Sequence, residues 1–265
     1  MKIAALQLAT LPMSINKLDY YMKICSKKDV AVLVLGEYVL NMFFKEMEKA
    51  PASMIKEQSN HKIEALKELS SKYQITIVAP IIKVKKDKFY KMIAKFSPKS
   101  TRYYEQQFLI NYRHWNEEKF FSNKIKNEIT AITFSHKNIK FAIINGFEIH
   151  FDVMWQEMMK KNVDVVLVPS VSAFDSQERW NEILKTRAFL NNMYILRVNR
   201  IGNYENKNSF WRFYGKSLFI SPCGEIESML GSEEELLVAD IDKQELAEIK
   251  RNWGFRADLA KRGLI

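Results

Sequence analysis

Short apolar runs alternate along the chain with segments in which apolar residues recur at helical spacing. Residues 3–8, 30–35 and 75–82 are largely apolar runs of strand length, and the last two are rich in Val or Ile. Between them, residues 13–25 and 63–73 carry apolar side chains three and four positions apart, which is the period of a helix with one buried face. The first third of the chain therefore predicts strands that alternate with amphipathic helices.

The same alternation continues through the rest of the chain. It predicts helices at residues 155–159 and 179–190, and strands at residues 89–96, 102–110, 139–144, 163–168, 193–199, 215–221 and 236–241. Several of these strands are apolar at successive positions, which is typical of strands covered on both faces. Because no Pro-, Gly- or Ser-rich segment suggests a linker, we predict that residues 1–265 form one α/β domain with helices covering a sheet.

The composition is typical of a folded protein outside the membrane. Of the 265 residues, 47% are hydrophobic and 27% are charged, a balance too apolar for intrinsic disorder. No apolar run approaches the roughly 18 residues of a membrane span, and the first residues lack the pattern of a signal peptide. The two cysteines, Cys25 and Cys223, cannot build a disulfide framework or a metal cluster. We therefore expect a cytoplasmic protein without a membrane partner.

The charge balance raises the question of nucleic-acid binding. The chain has 41 Lys and Arg against 31 Asp and Glu, a formal net charge of +10. These basic residues are scattered, and the densest run, residues 83–88, lies between two predicted strands where a solvated turn is expected. Since no basic helix with interleaved aromatic residues occurs, we predict no specific nucleic-acid partner.

Three places offer polar side chains where buried strands end. Glu37 follows the apolar run of residues 30–35 and could act there as a general base. His150 and Asp152 follow another strand, and a third strand is followed by polar residues at Gln106–Gln107 and His114–Glu118. The specific motifs of phosphate binding, dinucleotide binding and serine hydrolysis are absent. The residues alone therefore indicate an α/β protein without naming its chemistry.

Six segments, in order, resemble the signatures of the nitrilase superfamily, the carbon–nitrogen hydrolases. They are MKIAALQLA with AVLVLGEYVL, then KFYKMIAKFSPKSTRYYEQQFL, which is similar to the family's YNT…P.G…YRKxxL, FAIINGFEIHFDVMWQEMMKK, which is similar to G..ICYDxxFPExxR, RWNEILKTRAFLNNMYILRVNRIG, FYGKSLFISPCGEI and WGFRADLAKR. The resemblance implies a four-layer αββα sandwich, a homodimer or higher homo-oligomer, and a pocket for a small amide-like ligand. It implies no cofactor.

Active members of this family use a Glu–Lys–Cys triad, and the resemblance carries it over with two replacements. There the Cys attacks an amide, nitrile or carbamoyl carbon, the Glu moves protons and the Lys stabilises the oxyanion. Glu37 takes the Glu position, Gln106 the Lys position and His150 the Cys position. A second family Glu falls at Glu117 or Glu118, and the sequence leaves this choice open.

These replacements favour a protein that keeps the fold and pocket but lacks thiol-dependent amidase activity, that is, a pseudoenzyme with a binding or assembly role. Asp152, Trp155 and Ser170 are predicted pocket residues by the same resemblance. The first alternative is a hydrolase of altered mechanism in which Glu37 and His150 activate water. The second is a divalent metal held by Glu37, His150 and Glu117 or Glu118, since a His with two carboxylates occurs in metal enzymes.

Overall fold

The computed structural model describes residues 1–265 and contains fourteen strands, seven α-helices and a 3-10 turn at Gly146–His150. The strands are β1 (Lys2–Gln7), β2 (Val30–Leu35), β3 (Thr76–Lys85), β4 (Lys88–Ser97), β5 (Ser100–Glu105), β6 (Ile132–His136), β7 (Ile139–Ile143), β8 (Val165–Ser170), β9 (Tyr194–Asn199), β10 (Ile201–Asn206), β11 (Ser209–Tyr214), β12 (Leu218–Ile220), β13 (Ile226–Met229) and β14 (Glu235–Asp240). The helices are α1 (Asn16–Lys27), α2 (Phe44–Met47), α3 (Ala52–Tyr73), α4 (Asp152–Lys160), α5 (Gln177–Asn191), α6 (Lys243–Asn252) and α7 (Phe255–Lys261).

The strands form two six-stranded sheets and a separate hairpin. The first sheet has the order β14-β1-β2-β3-β4-β5 and the second has the order β13-β12-β9-β8-β7-β6, while β10 and β11 pair only with each other. Within each sheet the three consecutive strands joined through helices, β1 to β3 and β7 to β9, run parallel. Their carboxyl ends therefore lie at one edge of each sheet, which is where ligand sites form in α/β proteins.

The two sheets pack face to face, and each is covered by helices on its outer face. In β1, Ile3 and Ala5 contact the core between the sheets, which also contains Leu196 of the second sheet. Ala4 of the same strand faces the opposite way and packs in an outer core with Leu18 of α1. A matching outer core joins the second sheet to α4 and α5. The structure is thus a four-layer αββα sandwich in one domain, which confirms the predicted fold class.

The predicted helices and strands are present, with shifts at their ends and some additions. The helix predicted at residues 13–25 is α1 and begins at Asn16, and the one predicted at 63–73 is the second half of α3, which begins at Ala52. The hairpin β10–β11 was not predicted because residues such as Gly202 and Asn203 do not form an alternating apolar pattern. Helix α6 was also missed, although Asp242 caps its first turn by accepting from two backbone amides.

The longest helix is amphipathic rather than uniformly apolar. Helix α3 has 22 residues, and Ile63, Leu66 and Leu69 lie on its buried side while charged residues cover the other. None of the helices combines the length and the apolar character needed to cross a lipid bilayer.

Candidate functional site

Glu37 lies just beyond the carboxyl end of β2, in the space between the two sheets. Its side chain is 3% exposed. The strand end approaches β9 so closely that a Cβ at Gly36 would lie 3.0 Å from the backbone nitrogen of Arg200. The backbone amide of Glu37 donates to the carbonyl of Ser170 at 3.2 Å, which ties this segment to the end of β8. Glu37 is thereby held where the parallel strands of both sheets end.

Lys91 of β4 is the partner of Glu37 and was not among the predicted site residues. Its Nζ lies 2.5 Å from Glu37 Oε2 and 2.6 Å from Glu117 Oε1, and all three side chains are buried. Burial lowers the pKa of Lys91, but the charges of Glu117 and Glu37 and their hydrogen bonds outweigh it, so the pKa lies above its ordinary value. The lysine therefore carries its charge between two carboxylates.

Glu117, rather than Glu118, belongs to this site. Glu117 is fully buried, whereas Glu118 is exposed. Besides its contact with Lys91, Glu117 Oε1 accepts a hydrogen bond from the Tyr38 hydroxyl at 2.5 Å and one from Trp115 Nε1 at 3.4 Å. The structure thus places Glu117, and not Glu118, in contact with Lys91 beside Glu37. We refer to Glu37, Lys91, Glu117 and Tyr38 as the buried charge cluster.

The backbone at Tyr38 has the strained geometry often found at functional sites. Its φ is +57°, in the left-handed region that non-glycine residues rarely adopt. Thr10 Oγ1 and Arg200 Nη1 donate to its carbonyl at 2.9 and 3.3 Å, which holds the turn. This conformation directs the Tyr38 hydroxyl to Glu117 while Glu37, one residue earlier, reaches Lys91. Two neighbouring residues thus serve the same cluster.

The electrostatic environment favours a protonated Glu37 more than water would. Complete burial raises the pKa of Glu37, and the nearby Glu117 raises it further, against the opposing effect of Lys91. Its Oε1 accepts a hydrogen bond from the backbone amide of Gly146 at 3.2 Å. A carboxyl group of this kind is suited to exchanging a proton with a bound group.

Gln106 lies beside Lys91 but does not contact the carboxylates. Its backbone amide donates to the Lys91 carbonyl at 3.1 Å, since β4 and β5 are neighbours. Its side-chain Nε2 donates to the Phe108 carbonyl at 2.7 Å, and its Oε1 accepts from Asn145 Nδ2 at 2.6 Å. The side chain of Gln106, the predicted oxyanion donor, is therefore engaged in hydrogen bonds within a turn. The ammonium group next to Glu37 belongs to Lys91 on the adjacent strand.

The residue next to Glu37 at the end of β7 is Gly146, not His150. A Cβ at Gly146 would lie 3.2 Å from Glu37 Oε1, 3.1 Å from Trp180 Cη2 and 2.9 Å from Ser170 Cβ. The 3-10 turn carries the chain away from the strand end, so His150 lies at the exposed rim, where its Nδ1 is 2.9 Å from the Phe147 carbonyl. The structure therefore brings His150 to the same cavity as Glu37 but without a hydrogen bond between them.

Glu148 in the same turn is a third buried carboxyl group, after Glu37 and Glu117. It accepts backbone hydrogen bonds from Asn145, Gln107 and Phe108, which join the 3-10 turn to the segment after β5. Burial raises the pKa of Glu148 to about 7, although the three backbone donors lower it. Its side chain thus holds two site segments together.

Of the three predicted pocket residues, none lines the cavity. Asp152 is exposed and forms an ion pair with Arg187. Trp155 was expected as a pocket wall, but the apolar face of α4 turns it into the outer core, where its Nε1 donates to the Ile149 carbonyl at 2.8 Å. Ser170 is fully buried behind the site and accepts from Arg197 Nε at 3.2 Å. These predictions relied on motif position, and the turn of α4 explains the error for Trp155.

A cavity of about 610 Å³ opens in front of the buried charge cluster, and Glu37 reaches its inner end. Much of its wall is aromatic, contributed by Tyr112, His114, Trp115, Phe147, Phe174 and Trp180. Such a volume with apolar walls and a few polar groups suits a small organic molecule. Phe174 adopts a φ of +60° and is 48% exposed, so it lies at the mouth of the cavity.

The predicted alternative of a divalent metal finds no ligand set. No group of three or more His, Cys, Asp and Glu side chains is gathered anywhere in residues 1–265. Glu37 and Glu117, two of the ligands proposed for the metal, are already bridged by the ammonium group of Lys91. A cation at that point would have to displace another cation.

Comparison with protein families identifies the group to which these features belong. The model of the carbon–nitrogen hydrolase family matches residues 2–251. The chain belongs to the carbon–nitrogen hydrolase family. Solved structures of this fold agree: a carbon–nitrogen hydrolase from Helicobacter pylori G27 superposes with a TM-score of 0.84 at 19% identity, over 97% of this chain and 94% of that one. An amidase from Nesterenkonia sp. gives a TM-score of 0.77 at 20% identity, over 96% of each chain.

Curated relatives within the carbon–nitrogen hydrolase family are amidases. N-carbamoylputrescine amidase of Solanum tuberosum is 26% identical over 154 residues, which are 54% of this chain and 51% of that protein. Deaminated glutathione amidase of Synechocystis sp. is 23% identical over 107 residues, or 40% of this chain and 38% of that protein. The chain spans about half or less of the length of these curated relatives. The similarity establishes the family and not a shared substrate.

Proposed function

We propose that the chain is a small-molecule-binding member of the carbon–nitrogen hydrolase family that lacks thiol-dependent amidase activity. The observation that carries this proposal is Gly146, which lies at the end of β7 with its amide against Glu37 and has no side chain to attack a substrate. The alternative nucleophile position, His150, lies at the rim of the cavity. Neither assignment supplies a thiol beside Glu37.

The geometry supports a change of register in the nucleophile motif. When the family's I-C-Y-D is laid on Asn145-Gly146-Phe147-Glu148, an acidic residue again falls at the last position and a glycine at the Cys position. Gly146 then stands beside Glu37, as a triad member must for proton transfer. Placing the Cys position at His150 would instead separate it from Glu37 by a turn of 3-10 helix.

The other half of the family's triad is present in altered form. Glu37 keeps its position, and Lys91 supplies the ammonium group that Gln106 cannot. A site with an acid–base pair but no nucleophile can bind an amide-like group through charge and hydrogen bonds without forming a thioester. The aromatic cavity in front of it offers the apolar contacts for the rest of such a ligand.

A second candidate function is hydrolysis by an activated water. The raised pKa of Glu37 favours this candidate, because it makes the ionised carboxylate a stronger base than one in water. Lys91 would stabilise the developing charge. Turnover of simple amides by the wild-type protein that disappears in Glu37→Gln and persists in His150→Ala would establish this candidate and overturn the pseudoenzyme proposal.

The assignment of the family's Cys position to Gly146 rather than His150 is tested by placing a thiol at each of the two residues. In a Cys223→Ser background, which removes the exposed cysteine, the Gly146→Cys and His150→Cys variants are treated with iodoacetamide at several pH values. We expect the alkylation rate of the Gly146→Cys thiol to change when Glu37→Gln is added, and that of the His150→Cys thiol to stay the same. The opposite dependence would assign the position to His150.

A second set of variants measures how much space there is for a side chain at residue 146. Because a Cβ there would lie 2.9 Å from Ser170 Cβ, Gly146→Ala is expected to lower the free energy of unfolding by about 1–3 kcal/mol. Gly254→Ala, where a Cβ meets nothing closer than 3.9 Å, is the matched control and should change it little. Adding Trp180→Leu to Gly146→Ala should recover part of the loss.

The expected homo-oligomer stays a prediction of the family resemblance, and sedimentation of the purified chain measures it. The cytoplasmic location stays a prediction of the composition.

A further inference from the structure

We infer that the inner wall of the cavity binds the carboxylate of an anionic ligand through Ser172, with the buried guanidinium of Arg197 as the charge behind it. This inference rests on the proposed function, since it takes the cavity to be a ligand site, and it adds the chemical class of the ligand.

Arg197 is a fully buried cation without a carboxylate partner. It lies on β9, its side chain has no exposed surface, and no acidic group is within ion-pairing distance. Its Nε donates to Ser170 Oγ at 3.2 Å, and its Nη2 donates to Ser172 Oγ at 2.8 Å and to the Tyr214 hydroxyl at 3.2 Å. Its Nη1 has no hydrogen-bond partner. The protein therefore leaves one positive charge near the site uncompensated.

Aromatic rings enclose this guanidinium from the side of the cavity. Its central carbon lies 4.5 Å from the centre of the Trp180 ring and 5.6 Å from that of Tyr214. Trp180 also lines the cavity, and its Cη2 is the atom that would meet a Cβ at Gly146. Arg197 thus lies directly behind the wall next to Glu37, where low polarity leaves its field weakly screened.

Ser172 connects this buried charge to the cavity. Its hydroxyl accepts from Arg197, its backbone amide donates to Asn199 Oδ1 at 2.9 Å, and its side chain lines the cavity. No acceptor for the Ser172 hydroxyl hydrogen is found within the protein. A hydroxyl that accepts from a guanidinium becomes a stronger donor, so Ser172 offers a polarised hydrogen to an oxygen atom in the cavity.

The remaining charges of the cavity wall also favour an anion. Besides Glu37, the acidic and basic lining residues are Arg179, His114 and His150. Lys91 lies between Glu37 and Glu117, so these three groups are neutral together when Glu37 is protonated, as its raised pKa favours, whereas Arg179 has no ion-pair partner. A carboxylate bound at Ser172 would satisfy a donor and offset the charge of Arg197, while a cation would meet like charge. Burying a charge without a counter-charge is unfavourable, and a carboxylate ligand removes that penalty.

Benzoate, benzamide and benzamidine test this inference, because they share one shape and differ in charge. Isothermal titration calorimetry at neutral pH measures their affinity for the wild type and for Arg197→Met, Ser172→Ala and Arg212→Met. We expect benzoate to bind wild type about tenfold more tightly than benzamide, and benzamidine to bind most weakly. Arg197→Met should bring the two affinities together, and Ser172→Ala should reduce their ratio severalfold. Arg212, an exposed arginine of β11, is the control and should leave the ratio unchanged.

The outcomes separate this inference from the proposed function. If benzamide or benzamidine binds wild type as tightly as benzoate, the carboxylate site is refuted while the ligand cavity stands. If none of the three binds, the cavity is not a ligand site and both proposals fail. Should Arg197→Met not fold, the ratio in Ser172→Ala decides, since that variant keeps the guanidinium.

Discussion

Lys91 and Arg197 are the two basic residues of this protein that are less than 2% exposed, and their surroundings differ in one respect. Lys91 has two carboxylates within 2.6 Å, whereas Arg197 has only hydroxyl groups and aromatic faces. The carboxylates raise the pKa of Lys91 against its burial, whereas burial lowers the pKa of Arg197. The charge of Lys91 is thus paired within the protein, while the charge of Arg197 has no counter-charge and is available to a ligand.

Removing the paired charge of Lys91 should have the largest effect on stability. Lys91→Met leaves Glu37 and Glu117 buried without their cation, so we expect the free energy of unfolding to fall by about 3–5 kcal/mol. Urea denaturation measures it. Lys88→Met, at the exposed start of the same strand, is the control and should stay within about 0.5 kcal/mol of wild type. A loss below about 1 kcal/mol for Lys91→Met would mean that the ion pairs contribute little and that the two cations do not differ as described.

A buried carboxyl group without a cation should give a smaller effect that depends on pH. Because the pKa of Glu148 is about 7 in the folded chain and about 4.3 when unfolded, the folded state holds its proton longer. Between these values the folded state binds more protons than the unfolded state. The contribution of this group to stability therefore falls as the pH rises from about 4.5 to 7, and it does not change further above pH 7. Urea denaturation across this range should show a decline of up to roughly 3 kcal/mol from this group.

The variant Glu148→Gln checks the assignment of that decline. It removes the titrating group, so its stability should depend less on pH in the same range than that of the wild type. Glu118→Gln removes an exposed carboxylate and serves as the control. Equal slopes for wild type and Glu148→Gln would show that another group is responsible.

Removing the unpaired charge of Arg197 should have the smallest effect on stability. A buried cation without a counter-charge carries a desolvation cost that no ion pair offsets, and an apolar side chain of similar length removes that cost. We therefore expect Arg197→Met to change the free energy of unfolding by less than about 1 kcal/mol, or to raise it, in the same denaturation assay. A loss above about 3 kcal/mol would instead give Arg197 a structural role like that of Lys91, and the contrast between the two cations would disappear.

The fold was accessible from the sequence because its signals are local and repeated. Runs such as residues 30–35 and 165–168 are apolar at successive positions, which is typical of strands covered on both faces. The family signatures then supplied the pairing of two sheets, which periodicity does not encode. The hairpin β10–β11 escaped because Gly202, Asn203 and Asn206 give it no alternating pattern.

The site was accessible only in part because its residues are brought together by tertiary structure. Glu37 follows a strand and was found. Lys91 and Lys95 lie on the same face of β4, and their neighbours in the sequence do not reveal that Lys91 is buried and Lys95 is only half-buried. The one available signal was Tyr90-Lys91-Met92 at the place of the family's YNT. His150 drew attention as a reactive residue, although the turn at Gly146–His150 directs it to the rim.

The pairing of β4 with β5 has a consequence for where a positive charge can be supplied. Gln106 and Lys91 are cross-strand neighbours, and the Cβ atoms of such neighbours are about 5 Å apart, a distance shorter than an extended lysine side chain. A lysine at either position could therefore reach the same carboxylate. The requirement at this point of the protein is for an ammonium group in one region of space, and two neighbouring strands each offer a position that can meet it.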